Sequence, residues 1–199
     1  MMKKALILID IQNDFISGSL AVPDTEAIVE PINEFMDDFG TVVATQDWHP
    51  AEHYSFYISH AGMHPFEVLE HESEQQTLWP PHCVQGSEGA YFCPALNTKP
   101  VAAIFRKGMD PAIDSYSAFF DNRGMRATGL DGYLRGLNVD TLYIVGLAAD
   151  YCVYYSIKDA LELGYRVRLC ERLTRAILAE IFEQQKQELA AYTAFELIP

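Results

Sequence analysis

The chain is short of positive charge: 14 Lys and Arg stand against 28 Asp and Glu, a net charge of -14 over 199 residues. Nucleic acid and anionic membrane both demand a basic face, so neither is expected as a partner, and a small-molecule substrate is the better expectation. Cysteine is sparse as well. Cys83, Cys93, Cys152 and Cys170 lack the dense spacing of a disulfide framework, which favours free thiols in a reducing cytosol and so a cytoplasmic location. Long apolar runs are missing. No stretch reaches bilayer length, and the opening MMKKALILID has too short an apolar run, ending in Asp10, to be a signal peptide. Nor is there a repeat, a low-complexity tract or a linker to divide the chain. With 49% apolar residues, the simplest expectation is a single domain over 1–199 that can bury a full core.

What is present is a series of apolar runs of strand length, 5–11, 41–47, 101–107, 141–147, 165–170 and 194–198, several of them closed by a charged side chain. Helical spacing fills most gaps. One helix is expected from Asp24 or Thr25 to Phe39, bent at Pro31 and stopped by Gly40, and others over 89–97 (capped by Ser87), 130–137 and 150–163. A last helix over 176–191 should turn Leu178, Ile181, Phe182 and Leu189 inward. This alternation predicts an α/β fold whose central, mostly parallel sheet of about six strands is covered on both faces, with ligands bound outside the carboxyl ends of the strands. Between the second and third runs, 48–100 forms a long connection rich in His, Pro and aromatics that holds all six histidines; segments of that length are functional more often than structureless.

Cys152 falls where the 141–147 strand turns into the next helix, with Asp150 placed as N-cap. A helix N-terminus favours thiolate, so the expected pKa lies below the free value of about 8.5. Its amide hydrogens could also hold an oxyanion, one donor being worth about 3 kcal/mol of barrier. A small buried hydrophobe is the plain alternative. Asp10 and Lys107 close two other strands; singly, one is as good a turn-former as a base and the other a solvated strand end. Together with the cysteine they match an activated nucleophile, with a carboxylate to take the thiol proton and a cation to hold the thiolate.

Asp47-Trp48-His49 sets two ligand-type side chains on one side of a strand, and His82 in WPPHC could add a third. One carboxylate and two imidazoles leave coordination positions open, as in catalytic or substrate-binding metal sites. His53 is a candidate fourth or outer ligand. His60, His64 and His71 are expected at the surface and Cys83 in packing, with a His-Cys structural zinc site as the alternative for Cys83.

Five blocks then stand in order: DIQNDF at 10–15, QDWHPAEHYSF at 46–56, WPPHCVQGSEGA at 79–90, FRKGMDPAIDSYSAFFDN at 105–122 and GLAADYCV at 146–153. Together they resemble the bacterial nicotinamidases of the isochorismatase-like cysteine hydrolases. The resemblance implies a three-layer α/β/α Rossmann-like fold with a metal- and substrate-binding insertion at about 48–100, and hydrolysis of nicotinamide to nicotinate and ammonia, the NAD salvage step, with pyrazinamide as a second substrate. It implies a catalytic triad of Asp10, Lys107 and Cys152, and an oxyanion hole from the amides of Ala148 and Cys152 beside a cis bond between Leu147 and Ala148. Asp47, His49 and His82 would hold one divalent ion, zinc before iron or manganese, that takes the pyridine nitrogen. Phe15, Trp79 and Tyr116 would line the ring pocket, and a homo-oligomer is compatible with the family. Two departures stand out. Ala149 takes a substrate-side position where the family usually has Thr, and CERLTRAIL replaces the usual acidic-small pattern after the fifth strand. Another amidase or ureido hydrolase of the superfamily, and a non-catalytic metal- or thiol-binding protein, are the alternatives.

Overall fold

The computed structural model describes residues 3–71 and 74–199. Its spine is one six-stranded sheet, ordered β5-β2-β1-β6-β7-β8, with every pairing parallel. The strands are β1 (Lys4–Ile9), β2 (Val42–Asp47), β5 (Val101–Lys107), β6 (Thr141–Gly146), β7 (Arg166–Thr174) and β8 (Phe195–Ile198). β1 is apolar after Lys4, and β2 is buried along its whole length, because both faces are covered. Leu6 and Leu8 of β1 point into one core with Ile28, Val29, Ile32 and Met36 of α2 (Glu26–Met36). Ala5, Ile7 and Ile9 point into the other. That second core takes Leu130 and Leu134 of α3 (Leu130–Gly136), Ile157 and Ala160 of α4 (Tyr154–Glu162), and Phe182 and Leu189 of α5 (Ala179–Leu189). Helices on both faces make the three layers that the alternation predicts.

The chain builds outward from β1 to β2 and β5, then crosses back to lay β6 on the other side of β1. Ligands in open parallel sheets bind where the order reverses, and here that crevice opens between the carboxyl ends of β1 and β6. The two strands approach closely there: a side chain at Gly146, whose φ is +118°, would lie 2.2 Å from the Ile9 carbonyl oxygen.

Several elements differ from expectation. α2 carries Pro31 inside and ends at Met36, so Phe39 packs from beyond the helix. Over 89–97 only one 3-10 turn forms, Glu88–Ala90, with Ser87 Oγ accepting the Ala90 amide as foreseen. The 48–100 connection contains a short antiparallel ladder, β3 (Val68–His71) with β4 (Glu74–Thr77), whose polar sequence gave no strand signal. A one-turn helix, α1 (Asn13–Ile16), follows β1. Leu178, just ahead of α5, and Ile181 within it are exposed rather than inward, because the helix meets the core along Phe182 and Leu189.

Candidate active site

Four strand ends deliver the site. Asp10 follows β1 in a left-handed conformation (φ +50°), a strain of about 1–3 kcal/mol that the surroundings must hold. Thr45 of β2 holds it: its hydroxyl accepts the Asp10 amide at 3.2 Å and donates to Asp10 Oδ1 at 2.6 Å. Lys107, at the end of β5, is buried. Its ammonium donates to Asp47 Oδ1, to the Ser115 carbonyl at 3.1 Å and to Cys152 Sγ at 3.3 Å, and lies 2.9 Å from Asp10 Oδ2. Apart from that ion pair, Asp10 Oδ2 meets no other partner among the described residues. Ligand-type atoms of Asp10, Asp47 and Cys152 all lie within 4.8 Å of one another. The sequence thus places a carboxylate, an ammonium and a thiol that meet in one buried cluster.

Two carboxylates against one ammonium leave an excess negative charge in a dry site, and the titration directions follow. Burial raises the Asp10 pKa, with Lys107 opposing and Asp47 adding. For Asp47 burial also pushes upward, but Lys107 and His49 outweigh it and the carboxyl sits well below its ordinary range. Lys107 would be lowered by burial, yet Asp10 and Asp47 carry it well above. Cys152 corrects the expectation. Burial first, then Asp10 and Asp47, hold the thiol well above its ordinary value despite Lys107, so the resting nucleophile is protonated. The local dipole of one helical turn does not offset the desolvation of a fully buried sulfur.

Asp150 is a second correction. The helical turn at Ala149–Val153 is π-type, capped from Ala148 without a side chain. The Asp150 carboxylate instead accepts the amides of Ile177 at 2.9 Å and Leu178 at 2.8 Å, ahead of α5. The Leu147–Ala148 peptide is cis, and the Ala148 amide hydrogen meets no acceptor among the described residues. Ala149 is buried, its amide donating to the Arg175 carbonyl at 2.7 Å.

Beside this cluster, Asp47 Oδ2 lies 3.4 Å from His49 Nε2 and 3.7 Å from His82 Nε2. Each ring's Nδ1 sits 2.9 Å from a backbone carbonyl, Gly108 for His49 and Pro80 for His82. A carbonyl can only accept, so the Nδ1 atoms carry the protons and the Nε2 lone pairs face the carboxylate oxygen. Three electron-rich atoms converging in a buried, negatively charged site fit a divalent cation. In the bare protein, burial lowers the His49 pKa but Asp47 beside it wins, leaving it raised.

The supports come from two further residues of the DIQNDF block, Gln12 and Asp14. The Gln12 amide donates to the carbonyls of Asp47 and Ala90 and accepts the Asp47 amide, each at 2.8 Å, fastening β1 to the ion-facing end of β2. Asp14 accepts the Cys83 amide at 2.7 Å, next to His82. Gly108 must be glycine: φ is +64°, and a β-carbon would sit 2.3 Å from His49 Cε1.

His53 is fully buried, its ring centred 4.3 Å from that of His49 and tilted 48° to it; its Nδ1 meets Ser55 Oγ at 2.7 Å and its Nε2 has no partner among the described residues. Burial and His49 lower its pKa to about 4. It groups with His49 and Asp114, a buried carboxylate that sequence reasoning left in a loop because only the fold brings it here. His60 is half-buried, His64 is exposed, and the side chain of His71 lies outside the described residues. Cys83 packs in a core cluster, its thiol pushed up by burial, and joins none of the candidate metal groups among the described residues.

A narrow cavity beside Cys152 is lined by Phe15, Trp79, Tyr116 and Ala148 together with Asp47 and His82; Ala149 lies off it. Trp79 Nε1 donates to the Tyr116 hydroxyl at 3.3 Å and packs edge-on to Tyr151. Beyond Asp114 and Tyr116, which line both, a wider cavity of about 280 Å³ opens.

The isochorismatase domain matches residues 4–195. The chain belongs to the isochorismatase family. It is 47% identical over 171 residues to the nicotinamidase of Escherichia coli, covering 83% of this chain and 80% of that one. Among solved structures, a nicotinamidase/pyrazinamidase from Acinetobacter baumanii superposes with a TM-score of 0.95 at 40% identity, covering 100% and 96% of the two chains. The yeast nicotinamidase bound to the inhibitor nicotinaldehyde gives 0.93 at 34% identity, covering 98% and 99%. A Pyrococcus horikoshii pyrazinamidase in complex with zinc gives 0.80 at 32% identity over 98% of both chains. The resemblance read from the five sequence blocks is borne out.

Proposed function

We propose that this chain hydrolyses nicotinamide to nicotinate and ammonia through a thioester on Cys152, in a site that also holds one divalent ion. The observation that carries the reading is the buried meeting of Asp10, Lys107 and Cys152 at the sheet's switch point, in a family whose similar members are nicotinamidases.

Asp10, its pKa raised by burial, is a stronger base than an ordinary carboxylate and takes the thiol proton. Lys107 holds the resulting thiolate, which attacks the carboxamide carbon. The oxyanion rests on the backbone amides of Ala148 and Cys152. Asp10 returns the proton to the departing ammonia, leaving a thioester. It then takes a proton from water, whose oxygen attacks the thioester carbonyl, and nicotinate leaves as the thiol re-forms. Phe15, Trp79 and Tyr116 hold the ring. Asp47, His49 and His82 would hold the ion, zinc first by analogy with the Pyrococcus relative, and His53 with Asp114 would stand in its outer shell. When bound, the ion offers an open position to the ring nitrogen and withdraws electrons from the ring.

The same reading makes the chain one catalytic domain with 48–100 as its metal- and substrate-binding insertion, acting in the cytoplasm in NAD salvage. Among the described residues no helix is long and apolar enough to cross a membrane. Ammonia release from nicotinamide by the purified protein tests it. Cys152→Ala should stop turnover and still bind metal, and chelation should raise KM more than it lowers kcat. Unaltered kinetics after stripping would remove the ring-nitrogen role, and turnover in Cys152→Ala would remove the thioester.

A further inference from the structure

Ile177 lines the same narrow cavity as Cys152, Ala148 and Tyr151, although it stands 25 residues from the nucleophile in sequence. The segment packs only in part: Ile177 is half-buried against one core cluster, and its neighbour Leu178 is 52% exposed. It is held by hydrogen bonds to the turn that carries Cys152. The buried Asp150 carboxylate accepts the Ile177 and Leu178 amides, the Ala149 amide donates to the Arg175 carbonyl, and the Asp150 carbonyl accepts Gln185 Nε2 at 2.9 Å from inside α5. A carboxylate accepting two amides makes charge-assisted bonds, so one side chain fixes where residues 177 and 178 lie.

We propose that Ile177 is a specificity-determining residue that limits the size of ring the cavity accepts, and that Asp150 is the positioning residue that sets this wall beside the nucleophile. The inference rests on the amidase reading for its substrate class, an aromatic six-membered-ring carboxamide. Phe15, Trp79 and Tyr151 are large rings braced by neighbours, whereas the aliphatic wall at Ile177 is fastened to the nucleophile's turn by hydrogen bonds, two of them to the Asp150 carboxylate.

The test is a KM and kcat series on nicotinamide and its ring-methylated derivatives. Ile177→Ala should raise KM for nicotinamide about tenfold, carried in KM more than in kcat, and should raise the kcat/KM ratio of a methylated over the parent amide by about the same factor. Asp150→Ala should move that ratio in the same direction, and Asp150→Asn, which keeps one acceptor, should fall between. A ratio within about twofold of the parent protein's in Ile177→Ala would overturn the proposal, as would a loss of kcat in Asp150→Ala with the ratio unmoved. If Asp150→Ala fails to fold, Asp150→Asn and Ile177→Val make the same comparison at smaller amplitude. If the parent protein releases no ammonia from any of these amides, the amidase reading falls separately; the ratio is then read from dissociation constants of nicotinate and its methylated forms, with the same results for and against.

Discussion

Replacing Lys107 with methionine keeps the length of the side chain and removes its charge. Asp10 and Asp47 then face each other as two carboxylates in a site that excludes water, and Asp47 Oδ1, the Ser115 carbonyl and Cys152 Sγ each lose a donor. Breaking a buried pair from one side costs about 3–5 kcal/mol, because the charge left behind has neither water nor a partner. For a chain of this size, about 2–4 °C per kcal/mol gives a fall in Tm of about 6–20 °C. The structure adds two conditions. Asp10 already binds its proton more tightly folded than unfolded, and the change strengthens this; protonation favours the folded state, so the deficit should grow as pH rises from 5 to 8. A divalent ion at Asp47, His49 and His82 neutralises the same excess, so added zinc should shrink the deficit. Denaturant unfolding with chelator and with zinc measures both. A chelated Lys107→Met protein within about 1 kcal/mol of the parent, or a deficit that widens with zinc, would refute the electrostatic account.

Three smaller perturbations probe the supports. Gly108→Ala forces a β-carbon against the His49 ring and should weaken zinc binding by about 10–100-fold in a calorimetric titration, with an unchanged affinity counting against the fit. Gln12→Ala strands the buried Asp47 amide and should cost about 1–3 kcal/mol in denaturant unfolding; a neutral result would mean that water replaces the side chain there. Burial, and then the hydrogen bond to Glu188, push the Tyr154 phenol up to about 12 against Lys158. Its folded pKa exceeds its unfolded value of about 10, so its contribution is whole below pH 10 and is lost as pH rises toward 12. Tyr154→Phe should flatten the stability profile in that window, and an unchanged alkaline slope would contradict it.

The strand ends were readable because apolar runs in a covered sheet give way to polar side chains at the rim; Asp10 follows β1 directly, and Asp47 and Lys107 close strands that have already turned polar at Thr45 and Arg106. Pairing by local spacing also worked for Asp47 and His49. What the sequence concealed was non-local. Asp150 looks like the cap of its own helix, and only the fold shows its carboxylate reaching amides 27 and 28 residues ahead. Asp114 reaches His49 and His53 only after the 108–124 loop folds back over the sheet. The β3–β4 ladder is too short and polar to declare itself, and Leu178 and Ile181 have helical spacing without a core to face. The protonated state of Cys152 reflects burial from all sides, which no window of sequence reports.

The most direct test is mass spectrometry of protein quenched during turnover of nicotinamide. A nicotinoyl group in place of the Cys152 thiol hydrogen, absent in Cys152→Ala, is the predicted result. Ammonia release with Cys152 unmodified at every quench time, and undiminished in Cys152→Ala, would contradict it.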